Sequence, residues 1–165
     1  MTLNKSPQYR FYDDPLQMYN AMLQDIEMAK EYIYIETYKY GNDPIGIKFR
    51  DVLTKKAKEG VQIKILIDSW GAYVSNSFFS DIIRLGGEVR FFKKVRLSFD
   101  AFTKNHRRNH RKLILIDDTI TYISSANISS YALNWRESSL RIIGEITPVF
   151  KEAFLESYRI YNKYI

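Results

Sequence analysis

The sequence predicts an α/β protein: a mixed β-sheet flanked by helices on both faces. Three observations carry that reading. In "DPLQMYNAMLQDIEMAKE" and "IGIKFRDVLTKKAKEG", apolar residues recur at three- and four-residue spacing, the period of a helix with one buried side. "YIYIETY" and "VQIKILID" are short β-branched and aromatic runs, the composition of strands. Strand and helix patterns alternate along the chain, which is the arrangement that builds a sheet with helices packed against it.

Along the chain, Asp14 and Pro15 suit the cap and first position of the first helix. Its inward residues are predicted to be Leu16, Tyr19, Met22, Leu23 and Ile26. The second helix should bury Phe49, Val52, Leu53 and Ala57 and stop at Gly60. "SFFSDIIRLGG" reads as a short helix ended by glycines, and "EVRFFKK" as a strand. "HRKLILID" and "TITYISSAN" read as two strands of a hairpin, and "SSLRIIG" as one more strand. A final helix opens at Thr147 and Pro148 and should bury Val149, Phe150, Phe154, Tyr158 and Tyr161.

At 165 residues, the chain is expected to form a single domain over 1–165 with a real core. The net charge of +6 favours anionic partners: nucleic acid, an acidic membrane surface or phosphorylated small molecules. With no cysteine, disulfides, thiolate chemistry and cysteine zinc sites are excluded. The two histidines lie four residues apart in a basic run, a poor arrangement for catalytic zinc, so neither a metal nor a cofactor is expected. The opening "MTLNKSPQYRFYDD" lacks the apolar core of a signal peptide. No stretch is apolar enough for a transmembrane segment. The chain is therefore expected to be cytoplasmic or peripheral to the inner membrane.

The chemistry concentrates in "NHRRNHRKLILIDDTITYISSANISS". If Asp118 and Thr119 form a two-residue turn, Asp117 opposes Ile120, Lys112 opposes Ser125 and His110 opposes Asn127. Directly opposed residues share a sheet face, so His110, Lys112, Ser125 and Asn127 would meet on one face and Asp117 would lie on the other. A one-residue slip would scatter them. An imidazole is a nucleophile or proton carrier near neutral pH. Lysine, an amide and a hydroxyl donate to anionic oxygens. Together they suit a phosphoryl group, with the lysine supplying the charge that a metal would otherwise bring. Taken singly, His110 in a basic run reads as a solvated residue, and "SSAN" as turn composition.

The full spacing resembles the signature of the phospholipase D superfamily, the HKD motif. His110-Arg111-Lys112, "LILI", Asp117, "DTITYI" and Ser124-Ser125-Ala126-Asn127 match it at every defining position but one. Ser124 stands where the motif has glycine. Upstream, "YIYIETYKYGNDPIGIKFRDVLTKKAKEGVQIKILIDSWGA" is similar to the amino-terminal half of cardiolipin synthase-like members.

The resemblance implies a phospholipase D-like α-β-α sandwich carrying one motif-bearing half of an active site. It implies a metal-independent phosphodiesterase or phosphatidyltransferase working through a phosphohistidine intermediate, most simply on phospholipid. His110 would be the nucleophile or the acid on the leaving oxygen. Lys112, Asn127 and Ser125 would hold phosphoryl oxygens, and Glu137 would fix the histidine's tautomer. Asp117 would be structural. Arg108, Arg111 and Glu36 are candidate substrate-binding residues. His106 makes a poor second copy, with Arg108 where lysine is needed. A second motif must come from an identical chain, making a homodimer, or from the other half of a longer protein. Two rival readings follow. Lys104, Arg107, Arg108 and Arg111 also suit a nucleic-acid backbone, which would make the protein a homodimeric endonuclease. An inactive half-domain that only binds anionic surfaces is the other.

Overall fold

The computed structural model describes residues 6–92 and 108–160. Lys104, His106, Arg107 and Tyr161 lie outside the described residues. Seven strands form one mixed sheet: β1 (Gln8–Tyr12), β2 (Tyr32–Thr37), β3 (Gln62–Asp68), β4 (Glu88–Phe92), β5 (Leu113–Ile116), β6 (Ile120–Ser124) and β7 (Ser139–Ile143). Their spatial order is β1-β7-β6-β5-β2-β3-β4. The helices are α1 (Pro15–Met28), α2 (Pro44–Lys58), α3 (Ser80–Arg84) and α4 (Thr147–Ile160), with short 3₁₀ turns at Asn76–Phe79 and Ser130–Asn134. Strands β2, β3 and β4 are parallel. The β5–β6–β7 meander joins them with β5 antiparallel to β2.

Helices cover both faces, as the sequence predicts. On one face Ile33, Ile35, Ile65, Ile67 and Ile114 pack with Tyr19 and Met22 of α1 and with Phe49 and Leu53 of α2. On the other, Tyr34, Leu66, Leu113 and Leu115 pack with Phe154 and Tyr158 of α4. Strand β2 is buried along its whole length, and each large apolar side chain so buried contributes roughly 1.5–3 kcal/mol. The caps read from sequence are present. Asp14 accepts a hydrogen bond from the Gln17 amide at 2.7 Å, with Pro15 opening α1. Gly60 follows α2 with φ +87, the left-handed conformation that favours glycine.

Three details differ from expectation. Strand β1 was not foreseen; it pairs antiparallel with β7, from which it is separated by most of the chain, and local pattern does not reveal such a partner. Leu16 and Val149 are 56% and 62% exposed: Leu16 lies at the rim of the apolar stripe of α1, and Val149 falls on the side of α4 opposite Thr147, Phe154 and Tyr158. The hairpin register is also shifted. Ile116 opposes Ile120 and Leu113 opposes Ile123, so the turn has three residues, Asp117 to Thr119. Asp117 takes φ 49, a left-handed conformation that aspartate tolerates better than most residues. Lys112 therefore meets Ser124, not Ser125, and the Ser124 amide donates to the Lys112 carbonyl at 3.0 Å.

Candidate active site

Strand β5 runs antiparallel to β2, so the segment leading into β5 lies against the carboxyl end of β2. The carboxyl end of β6 and the start of β7 reach the same edge. Sites on sheets of this kind sit where parallel strands end. Although the register shift should have scattered the motif, it does not. Regular pairing ends before His110–Lys112 on one side and at Ser124 on the other. Beyond those points the strand alternation no longer dictates direction, and Ser125 and Asn127 turn toward His110.

Two buried carboxylates fix the approach to His110. Asp68, at the end of β3, is fully buried and accepts from the amides of Asn109 and Trp70, both at 2.9 Å. Glu36, 1% exposed on β2, accepts from the Asn109 side-chain amide. It also accepts from the Arg111 guanidinium at 2.9 and 3.1 Å. Arg111 in turn donates to Ser157 of α4. Asn109 and Arg111 are thus held on the α4 side of the sheet by their own hydrogen bonds, while Lys112 packs among Tyr19, Ile35 and Ile114 on the other side and His110 faces the cleft there.

His110 is exposed, with its ring centroid 5.1 Å from that of Tyr38. Lys112 is 7% exposed and sits behind it, its Nζ donating to the His110 carbonyl at 2.8 Å. Burial pushes the Lys112 pKa down to about 8, against an opposing pull from the Glu137 carboxylate. Ser125 donates its hydroxyl to Glu137 and accepts from the Ser138 amide at 2.9 Å. The Asn127 side-chain oxygen accepts from the Lys39 amide at 3.0 Å, which leaves its NH₂ end as a donor. The Asn127 carbonyl accepts from the Tyr19 hydroxyl of α1. His110, Ser125, Asn127, Glu137, Lys39 and Trp135 line one cleft of about 300 Å³. A larger groove of about 480 Å³, between α2 and α3, is lined by no histidine.

Asp117 lies at the far end of the hairpin. Its carboxylate accepts from the amides of Lys30, Glu31 and Tyr32 at 3.1, 2.9 and 3.0 Å. It ties the turn to the start of β2 and lies at the other end of β5 from the cleft.

The three expected substrate-binding residues do not line the cleft. Arg111 and Glu36 pair with each other on the α4 side. Arg108 lies over the Trp70 ring, 3.9 Å from its centroid, and 3.7 Å from Asp68. The burial of Glu36 and Asp68 explains these placements: an interior carboxylate must be compensated by charge and hydrogen bonds. Arg111 supplies both to Glu36, whereas Arg108 supplies charge alone to Asp68, whose hydrogen bonds come from the Asn109 and Trp70 amides. Sequence reading missed Asn109, Asp68, Tyr38 and Lys39. Asn109 and Lys39 do flank motif or strand residues, but no spacing rule marks them.

A family model described as "Cardiolipin synthase, PLD-like domain" matches residues 22–154. Cardiolipin synthase 1 of Staphylococcus aureus (strain MRSA252) is 36% identical over 149 residues, covering 86% of this chain and 30% of that protein. The major cardiolipin synthase ClsA of Bacillus subtilis (strain 168) is 33% identical over 150 residues, covering 86% and 31%. The chain thus spans less than a third of the length of these relatives. In fold it resembles Nuc of Salmonella typhimurium, a phospholipase D family member, at TM-score 0.70 and 22% identity, covering 96% of this chain and 95% of that one. It also resembles NucT of Helicobacter pylori at TM-score 0.65 and 21% identity, covering 96% and 95%. A match over residues 22–154, on a sheet that sets the motif's side chains at one cleft, is decisive: the chain belongs to the cardiolipin synthase family of phospholipase D-like domains.

Proposed function

We propose that the chain is one motif-bearing half of a phosphodiesterase or phosphatidyltransferase acting on phospholipid. The observation that carries this reading is the convergence of His110, Ser125, Asn127 and Glu137 on one cleft, with Lys112 directly behind the histidine. An imidazole nitrogen of His110 attacks phosphorus; the N–P bond forms as a P–O bond to the leaving alcohol breaks. The departing oxygen takes a proton from a second imidazole, which this motif does not contain and which a second motif-bearing half supplies. An acceptor hydroxyl then attacks the phosphohistidine, gives its proton back to that second imidazole and frees His110. Lys112 and the Asn127 amide balance the charge on the phosphoryl oxygens, a role that calls for no metal. The hydrogen bond that Ser125 makes to Glu137 holds that carboxylate beside the site.

Among the described residues no helix is long and apolar enough to cross a membrane, so this part of the protein would meet lipid from the surface. The test is a denaturing quench of the protein during reaction with phosphatidylglycerol vesicles, followed by peptide mass spectrometry. A phosphatidyl or phosphoryl adduct on His110 is expected. Turnover without any adduct on the chain would overturn the covalent route, and cleavage of nucleic acid with no action on the vesicles would replace the lipid with a nucleic-acid backbone.

A pH dependence follows from Lys112. With its pKa lowered to about 8, the ammonium loses its proton as pH rises through that value, and affinity for inorganic phosphate falls with it. Bound phosphate favours the charged form, so binding above pH 8 takes up a proton. Lys112→Arg stays charged and will keep its affinity across this range. Phosphorus NMR titrations below and above pH 8 check this; equal affinity in the parent on both sides would contradict it.

A further inference from the structure

Tyr19 stands on the apolar side of α1 with Met18, Met22, Leu23 and Ile26 and is 1% exposed. Its ring packs edge-on against Phe49 of α2, with centroids 5.8 Å apart. A phenylalanine would fill this space as well, without a polar atom to compensate. The hydroxyl reaches out of the core to the loop that follows β6. It donates to the Asn127 carbonyl and lies 3.2 Å from that of Ser129. Burial pushes its pKa well above the ordinary tyrosine value, so the group is a permanent donor. Asn127 is held at further points. Its side-chain oxygen accepts from the Lys39 amide at 3.0 Å, and its carbonyl also accepts from the Ser129 amide at 3.1 Å. The next residue, Ile128, bonds to Lys39 through its amide and to Gly41 through its carbonyl. These bonds run within or between two loops. Among the described residues, the Tyr19 hydroxyl is the one donor to Asn127 that comes from a helix. Asp43 fastens the far end of the same loop, accepting from the Ser129 and Ser130 hydroxyls at 2.7 and 3.0 Å. It also caps α2, so its removal would disturb the helix as much as the loop.

We propose that Tyr19 is a positioning residue for the phosphate site: its hydroxyl fixes the peptide unit that carries Asn127 and thereby aims the Asn127 amide into the cleft. The inference rests on the phosphodiester reading of this cleft and adds to it a residue that touches no ligand. A carbonyl displaced at Asn127 swings the side chain with it. A donor swung out of line contributes little, because hydrogen bonds weaken steeply with angle. A ligand-binding group is precise only when the residues behind it lock its direction.

The probe is inorganic phosphate, titrated into the parent chain, Tyr19→Phe, Asn127→Ala and the double variant, with binding read from the His110 imidazole resonances. Asn127→Ala will bind phosphate about tenfold more weakly, the size of one charge-assisted contact. Tyr19→Phe will bind it about fourfold more weakly, since the amide is still present but no longer aimed. In the double variant the Tyr19 substitution will cost nothing beyond Asn127→Ala, the mark of a group that acts through another. The Asn127 side-chain amide signals will shift in Tyr19→Phe, while those of Asn109, held by Glu36, will stay. The thermal midpoint of Tyr19→Phe will fall by roughly 2–4 °C, the effect of one buried hydrogen bond in a chain of this length. Parent affinity in Tyr19→Phe, or an equal loss with and without Asn127, would overturn the positioning role while leaving the phosphate site standing. A Tyr19→Phe chain that does not fold would overturn it too, by making the hydroxyl a structural group. Failure of phosphate to perturb His110 in the parent would sink the phosphodiester reading, and this inference with it.

Discussion

The His110→Asn variant will fold like its parent and turn over no phosphodiester. The imidazole is exposed, and its one ring neighbour among the described residues is Tyr38. A surface substitution of this kind changes stability by about 0.5 kcal/mol or less. The chemical loss is of another order. On the proposed covalent route the substitution takes away the intermediate itself, and losses of about 10⁴-fold or more in kcat are usual for removal of a covalent nucleophile. Adding back one imidazole in solution will not repair the site, because the lost advantage is position as well as basicity. Turnover measured on phosphatidylglycerol vesicles, beside a thermal melt of the same sample, makes the comparison. A folded variant within tenfold of the parent rate would remove His110 from the mechanism.

The largest stability effect will come from Arg111→Ala. Glu36 has a side chain with no exposed surface, while that of Arg111 is 47% exposed. The two partners are therefore unequal. Without Arg111, the Glu36 carboxylate stays buried with only the Asn109 amide, and its second oxygen already lacks a hydrogen-bond partner. Stranding a buried charge in this way costs about 3 kcal/mol, or roughly 10 °C in midpoint for a domain of this size. Glu36→Gln removes the charge but keeps an acceptor, and Arg111 can turn to solvent, so its cost will be about 1 kcal/mol. The pair Arg111→Ala with Glu36→Gln will be more stable than Arg111→Ala alone, a coupling that urea unfolding of all four proteins would reveal. If Arg111→Ala unfolds with the parent, the carboxylate is not held as described.

Much of the architecture was legible because local pattern and tertiary need agree in the middle of the chain. Helices α1 and α2 carry one-sided periodicity, and β2 and β3 read as strands. Strand β1 was not legible, since its pairing with β7 depends on residues more than a hundred positions away. Leu16 was misplaced because periodicity gives the direction of an apolar stripe but not its width, and Val149 because it is apolar but out of phase with the buried Phe154 and Tyr158. His110, Ser125, Asn127 and Glu137 do line one cleft, although they were brought together on paper through a faulty register. A two-residue turn would have put Lys112 opposite Ser125; the left-handed Asp117 inserts one more residue and sets it opposite Ser124, while the chain's departure from the ladder after Ser124 leaves Ser125 and Asn127 at the cleft with His110. Motif spacing carried information that pairing geometry alone would have lost. Charge was the weakest guide. Arg108, Arg111 and Glu36 looked available to a ligand, but whether a charged side chain is free or spent on a neighbour is decided by burial, which the sequence does not display.

The pair β2 and β5 is riveted at both extremities: Asp117 grips three amides at one, and Glu36 with Asp68 grips the run before β5 at the other. Sliding by a single residue would break both rivets together. His110 therefore stands on a beam that cannot creep, and any change in what the cleft admits has to come from the residues hung on the beam's end, around Tyr38 to Tyr40 and Tyr131 to Trp135.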